Sequence, residues 1–144
     1  MVKIIHSYWA YLALALLVIS VIMAIVGLAQ KKQFTNKKLR IFLFTLIVMH
    51  IQLIIGLINY YLSPFYDTLR SVGMREIMNI KEARLLMVEH PLIMIVAIIL
   101  ITMGWSKHKK KTTDAAKFKT IAIYYGIALL LVLIRIPWTQ WFSS

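Results

Sequence analysis

Four long apolar runs, at about residues 7–29, 41–62, 85–105 and 120–141, alternate with short stretches that hold most of the charge. Each run is close to the ~20 residues an α-helix needs to cross a hydrocarbon core about 30 Å thick. The runs are rich in Leu, Ile, Val and Ala, without the strict alternation of a barrel strand. Lipid offers no partner for backbone N–H and C=O groups, so such a run must close its own hydrogen bonds as a helix. The pattern predicts an all-α integral membrane four-helix bundle, with residues 1–144 forming a single transmembrane domain.

The charges between the runs set an expected orientation. Lys31, Lys32, Lys37, Lys38 and Arg40 follow the first run, and Lys107, Lys109, Lys110, Lys111, Lys117 and Lys119 follow the third. The middle connection mixes Asp67, Glu76 and Glu82 with Arg70, Arg75, Lys81 and Arg84. By the positive-inside rule the two lysine-rich connections face the cytoplasm. Both termini and the middle connection then lie on the non-cytoplasmic side of a bacterial inner (cytoplasmic) membrane. The net charge of +12 therefore reads as a topology signal, not as a nucleic-acid surface. The first run is too long for the apolar part of a signal peptide and is expected to be retained. Trp9, Tyr11, Tyr60, Tyr61, Trp105, Trp138 and Trp141 stand near run ends, as expected of rings at headgroup level. Within the middle connection, Met74 to Arg84 has helical character and is expected to form an interfacial helix over the outer face.

With 61% apolar residues and no cysteine, the chain has neither the composition of a soluble domain nor the thiolates for disulfides, iron–sulfur clusters or covalent haem attachment. Cofactor ligands must come from His, Met or carboxylates. The eight methionines are scattered and read as packing. Ionisable groups inside spans are costly and are functional candidates by default. They are His6, His50, Glu89, His90 and Arg135. His108, inside Ser106-Lys107-His108-Lys109-Lys110-Lys111, is expected to be solvated.

At a rise of ~1.5 Å per residue, His6 lies near the outer surface, His90 about 6–8 Å down, Arg135 about 6–10 Å down and His50 about 16–18 Å down. Helical phase places His90, Met94, Ala97 and Ile101 on one stripe, and Tyr124, Ala128, Leu131 and Arg135 on another. On the second run His50 aligns with Leu46, Ile54, Leu57 and Tyr61, whereas Thr45, Gln52, Gly56 and Asn59 form a broadly opposite face suited to helix packing. Pro91 lacks an N–H and so frees the carbonyl of Met87, which re-aims His90 beside it. Glu89 is expected to pair with Arg135.

Haem is the cofactor that best accounts for histidines in a cysteine-free membrane bundle, because neutral imidazole ligates iron axially and facing helices supply the site. Arg135, with Arg84, is placed to meet the propionates. His90 is the central ligand candidate. A His50 partner must overcome an apparent offset of about 10 Å in depth and a His6 partner less, so both pairings stay open.

His6-Ser7, the stretch Thr45 to Gly56 with Met49-His50-Ile51-Gln52, Val88-Glu89-His90-Pro91-Leu92 and Arg135-Ile136-Pro137-Trp138 resemble a family of small four-helix membrane proteins of Bacteroidetes, often labelled cytochrome B. The likeness covers nearly the whole chain. It departs at Tyr8-Trp9, where family members often carry an Arg-Trp pair. The resemblance implies a b-type-cytochrome-like bundle with His6, His50 and His90 as haem or active-site residues. The expected function is a haem b subunit moving electrons, exchanging them with quinone near the outer face beside other respiratory membrane subunits. The alternatives are a haem-free subunit or assembly factor whose polar residues lock helices together, and a metal- or proton-handling transporter using Glu89, His50 and His90.

Overall fold

A computed structural model describes residues 2–136. Helix α1 (Val2–Ala29) is followed by α2 (Asn36–Leu62), then by the short helices α3 (Pro64–Val72), α4 (Met74–Asn79) and α5 (Lys81–Arg84). A π-helical turn, Leu85–Glu89, leads directly into α6 (His90–His108), and α7 (Asp114–Arg135) completes the fold. Four helical segments are long and apolar enough to cross a membrane: Lys3–Ala29, Asn36–Leu62, Lys81–His108 and Asp114–Arg135. The molecule is an all-α four-helix bundle with the make-up of a multi-pass membrane protein, and no strand occurs among the described residues.

The helices begin and end where local chemistry permits. Thr35 and Thr113 cap α2 and α7, their hydroxyls accepting from the N–H groups of Lys38 and Ala116, which would otherwise be orphaned in a first turn. Lys31, at φ 52°, ends α1 in the left-handed region. Lys32 N–H then donates to Gly27 O and Lys31 N–H to Leu28 O, the reciprocal closure that ends many helices. Gly73 separates α3 from α4 at φ 86°, a conformation that a side chain would strain.

Helices α1 and α2 both start about five residues before their apolar runs, so charged and polar residues join the first turns. The third span is longer than the apolar run too, because α5 and the π turn are continuous with α6. The middle connection forms three short helices instead of one, and Ile77, Ala83 and Met87 bury a small separate core beneath them. The expected end of the fourth span at 141, Pro137, and the interfacial rings Trp138 and Trp141 lie outside the described residues.

Helix α1 packs between α2 and α7, and α6 closes the ring by packing against α7 and α2. Each helix contributes one stripe to the common core: Ala13, Leu17, Val21 and Ala24 from α1; Phe42, Thr45 and Met49 from α2; Ala97, Ile98 and Ile101 from α6; Phe118, Ile121, Tyr125, Ala128 and Val132 from α7. Side chains such as Ile22, Ile54, Ile99 and Leu130 stay exposed around the bundle, a surface suited to lipid.

Lipid provides little hydrophobic drive for helix association, so close approach and polar contacts carry more of it. A methyl at Gly27 would meet the Phe118 ring at 2.7 Å, and one at Gly104 would meet Tyr124 Cβ at 2.5 Å. The Ser20 and Thr45 hydroxyls lie 2.7 Å apart in the core, and Tyr125 OH donates to Phe42 O at 2.9 Å. Thus Ser20 and Thr45 tie α1 to α2, and Tyr125 ties α7 to α2.

Candidate functional site

At the end of the bundle opposite the lysine-rich turns, the start of α1, the end of α2, the start of α6 and the end of α7 enclose a cavity of about 1150 Å³. Its deep wall is apolar, formed by Ala13, Leu17, Met49, Met94, Ile98 and Val132. His6, Gln52, Asn59, Tyr60 and His90 add polar groups to its lining. A large apolar space with a few convergent polar groups is the usual form of a ligand site, and this one exceeds the roughly 300–1,000 Å³ typical of such pockets.

His6 reaches the cavity because α1 begins at Val2 and because α2 presents small and amide side chains to it. Gln52 Nε2 donates to the His6 carbonyl at 3.0 Å. One turn further, a methyl on Gly56 would lie 3.1 Å from His6 Cε1, so the absent side chain is what admits the ring. Trp9 Nε1 donates to Val48 O at 3.0 Å and fixes the same stretch of α1 against α2. His6 Nδ1 and Gln52 Oε1 are buried and have no hydrogen-bond partner among the described residues.

His90 is positioned by a different device. Pro91 has no N–H for the Met87 carbonyl in the α-helical pattern, and Tyr60 OH on α2 donates to that carbonyl at 3.0 Å. The π turn ends at Glu89, immediately before the histidine. His90 Nδ1 donates to Arg135 O at 2.7 Å, satisfying one of the carbonyls a helix leaves unpaired at its C-terminus. Since a carbonyl only accepts, Nδ1 carries the proton and the neutral ring keeps its lone pair on Nε2. A metal-ligating histidine usually has its second nitrogen anchored in this way.

Outside the cavity, Glu89 pairs with Arg84 at 3.2 Å and with Arg135 at 3.8 Å. The Arg135 pairing matches the expectation from the sequence. Both bridges are about one-third exposed and worth little stability in themselves. They join α5, the π turn and α7 at the rim.

His50 does not line the cavity. Its Nδ1 donates to Leu46 O at 2.7 Å, and its Nε2 lies 3.3 Å from Thr102 Oγ1 on α6. Residues Ile54, Leu57 and Tyr61 of its stripe are exposed. The Thr45, Gln52 and Gly56 face of α2 serves helix packing, as expected, with Thr45 bonded to Ser20 and Leu16 O and with Gln52 and Gly56 against His6. The same contact carries the α1 histidine to the cavity, while much of the His50 stripe is exposed. The reason is close approach, because α1 can bring His6 to α2 only where α2 carries small or hydrogen-bonding residues.

His108 also departs from expectation. It is 1% exposed, its Nδ1 donates to Trp105 O, and its ring packs against Phe34 and Trp105. The lysines on either side hid its helical phase, since His108 continues the Ala97, Ile101, Gly104 stripe of α6 into the core. Among the described residues, no three His, Asp or Glu side chains converge on one point.

The structure thus brings together His6, His90 and the backbone of Arg135, and leaves His50 at a separate helix contact. Gln52, Gly56 and Tyr60 are the site residues that a search for ionisable groups passed over. Their signal was an uncharged polar and small-residue face at i, i+4 and i+8 in the outer half of α2. Comparison of the chain with protein families, curated proteins and solved structures gives no match.

Proposed function

We propose that this chain is a b-haem-binding electron-transfer subunit of a bacterial inner membrane, with the haem in the histidine cavity and His90 and His6 as its axial ligands. The observation that carries the reading is the presence of two imidazoles, from the separate helices α1 and α6, on one large apolar cavity between bundle helices. His90 has its Nδ1 proton committed to Arg135 O, which leaves Nε2 for iron. His6 Nδ1 is a buried atom in need of a partner. The resemblance to small four-helix membrane proteins labelled cytochrome B points the same way. Among the described residues no three acidic or histidine side chains converge, so a two-ligand haem suits those residues better than a many-ligand metal site.

In this reading the haem supplies one-electron exchange, and the chain supplies orientation and exclusion of water. Leu17, Met49, Met94 and Ile98 keep the deep wall dry, and Arg135 and Arg84, paired with Glu89 outside the cavity, are the guanidinium groups that would have to leave Glu89 to meet acidic substituents. Tyr60 and the Arg135 carbonyl hold the start of α6, and through it His90, in register.

The test is a reduced-minus-oxidised spectrum of protein purified in mild detergent after expression with adequate haem. A low-spin b-type spectrum is expected. His90→Ala should abolish it, His6→Ala should empty the site or leave five-coordinate iron, and His50→Ala should leave the spectrum unchanged. Wild-type protein without haem absorption overturns the proposal. It would favour the helix-locking alternative, for which the His50 contact to Thr102 is the specific support.

A further inference from the structure

Charge is divided unevenly between the two ends of the bundle. Five of residues 30–40 and six of residues 106–120 are lysine or arginine, and Asp114 is the only carboxylate in either stretch. Phe34, from the first stretch, packs against Phe118 of α7 at 5.0 Å and against His108 of α6 at 5.4 Å between ring centroids, so the two turns form one patch. The salt bridges described above join Arg84 and Arg135 to Glu89 at the opposite end. Among the described residues none of the eleven cations of the patch forms an ion pair. Lys38 and Lys117 lie over the rings of Phe118 and Phe34, contacts that hold an ammonium group without cancelling its charge. At the histidine end, Asp67, Glu76 and Glu82 stand among Arg70, Arg75, Lys81 and Arg84, which is close to balance.

What lies beneath the cations identifies the counter-charge. On α2, Arg40 heads a stripe of exposed Phe44, Ile47 and Ile51 at i+4, i+7 and i+11. On α6, Lys107 stands above exposed Met103 and Val96, and on α7 Lys119 stands above exposed Ile123 and Leu130, at the helical spacings of 4 and 11 residues. Lysine and arginine stems lie along apolar surface of this kind while their charged heads stay in the polar layer. Three spans therefore carry, at this end, a cation directly over a surface that lipid chains cover. A soluble phosphate gains nothing from the stripes. A phospholipid meets both parts at once, its phosphate against the cation and its acyl chain along the stripe. A zwitterionic headgroup brings a cation of its own into a patch already in large positive excess, and an anionic headgroup does not.

We propose that this end of the bundle binds anionic phospholipids, with Arg40, Lys107 and Lys119 as headgroup-binding residues and the stripes below them as acyl-chain contacts. The patch is then an interaction surface as well as a guide to orientation, and it selects lipid by headgroup where the balanced histidine end does not. One cation beside an anionic membrane surface contributes about fivefold in affinity, so three in register make the preference measurable. The inference does not depend on the haem reading.

For the test, protein stripped of lipid in mild non-ionic detergent is titrated with phosphatidylglycerol, with phosphatidylcholine of the same acyl chains and with soluble glycerol phosphate, and bound molecules are counted by native mass spectrometry. Phosphatidylglycerol is expected to bind at least about tenfold more tightly than phosphatidylcholine, with an advantage that shrinks as salt is raised. Glycerol phosphate is expected not to bind at comparable concentrations. Combined Arg40→Gln, Lys107→Gln and Lys119→Gln should bring the two lipids within about threefold of each other, whereas Arg70→Gln with Arg75→Gln, at the other end, should keep the wild-type preference. Thermal melts in the same detergent check folding. Where the triple variant is poorly folded, each single replacement should lower the preference about two- to fivefold. Equal affinities for the two lipids in the wild type, or a preference that survives the replacements, overturn the proposal. Glycerol phosphate bound as tightly as phosphatidylglycerol overturns the lipid assignment in favour of a soluble anion. A preference lost equally in the Arg70 and Arg75 variant overturns the assignment to this end, because overall charge would then decide.

Discussion

At the scale of single residues, the four histidines show how little a residue type says without its neighbours. His50 drew attention because an ionisable group in the middle of an apolar run is expensive, yet both its nitrogens have local partners in Leu46 and Thr102. His6, at a helix start where a polar residue is ordinary, reaches the cavity because Gly56 is bare. Hydrophobic pattern alone could not reveal this, since a missing side chain has no periodicity of its own. The dependence is testable. A methyl at Gly56 would sit 3.1 Å from His6 Cε1, whereas Gly126 on α7 has nothing within 4 Å of where its methyl would go. Gly56→Ala should therefore displace the ring, destabilise the protein by about 1–3 kcal/mol as overpacking does, and weaken retention of any ligand held by His6. Gly126→Ala should be neutral or stabilising by up to about 1 kcal/mol, the helix-propensity gain. Thermal melts in detergent measure both, and equal effects would show that the His6–Gly56 approach is unimportant.

At the scale of elements, Pro91 was legible as a defect in the third span and the response to it was not. The residue type alone identified the Met87 carbonyl as the group to be freed. Its new partner, Tyr60, lies 27 residues away on α2 and read only as an interfacial ring, because nothing in a sequence says which helix will face which. The π turn was equally hidden, since Leu85 to Glu89 are ordinary helix formers and the wider turn becomes visible only when α5 and α6 are joined. If Tyr60 answers the proline, the two positions are energetically coupled. Tyr60→Phe should cost about 0.5–1.5 kcal/mol, because the Met87 carbonyl loses its donor near an apolar wall. In a Pro91→Ala background residue 91 regains an N–H that can serve the same carbonyl, so the same change should cost about half as much or less. A double-mutant cycle by chemical denaturation gives the coupling. Equal losses in both backgrounds would mean that Tyr60 and the proline act independently.

At the scale of the whole molecule, the four spans were legible because length and apolarity are decided residue by residue along the chain, without any knowledge of packing. The ring order of the helices, with α1 between α2 and α7, was not, because it depends on the close approaches at Gly27 and Gly104 and on the bonds made by Ser20, Thr45 and Tyr125. Charge distribution joins the two levels. The bundle places Lys31, Lys32, Lys37 and Lys38 beside Lys107, Lys109, Lys117 and Lys119 at one pole, where the ammonium groups of Lys38, Lys109 and Lys117 lie over the rings of Phe118, Trp105 and Phe34. At the histidine pole, Arg84 and Arg135 are offset by Glu89, and Arg70 and Arg75 by Asp67 and Glu76. A lysine cluster flanking a span resists translocation, and short connections obey this bias more strongly than long ones. Both lysine-rich turns are short, and both lie at the same pole, so the signals reinforce each other. The lysine pole should therefore face the cytoplasm, with the histidine cavity opening on the other side. A reporter active only outside the cytoplasm should be active when fused after Ser144 or inserted near Ser71, and silent when inserted near Thr35 or Thr112. Replacing Lys31, Lys32, Lys37 and Lys38 by Gln should weaken the bias and produce a mixed population, while the same treatment of Arg70 and Arg75 should not. A reporter active at Thr35 and silent at Ser71 in the wild type would invert the orientation and place the cavity on the cytoplasmic side.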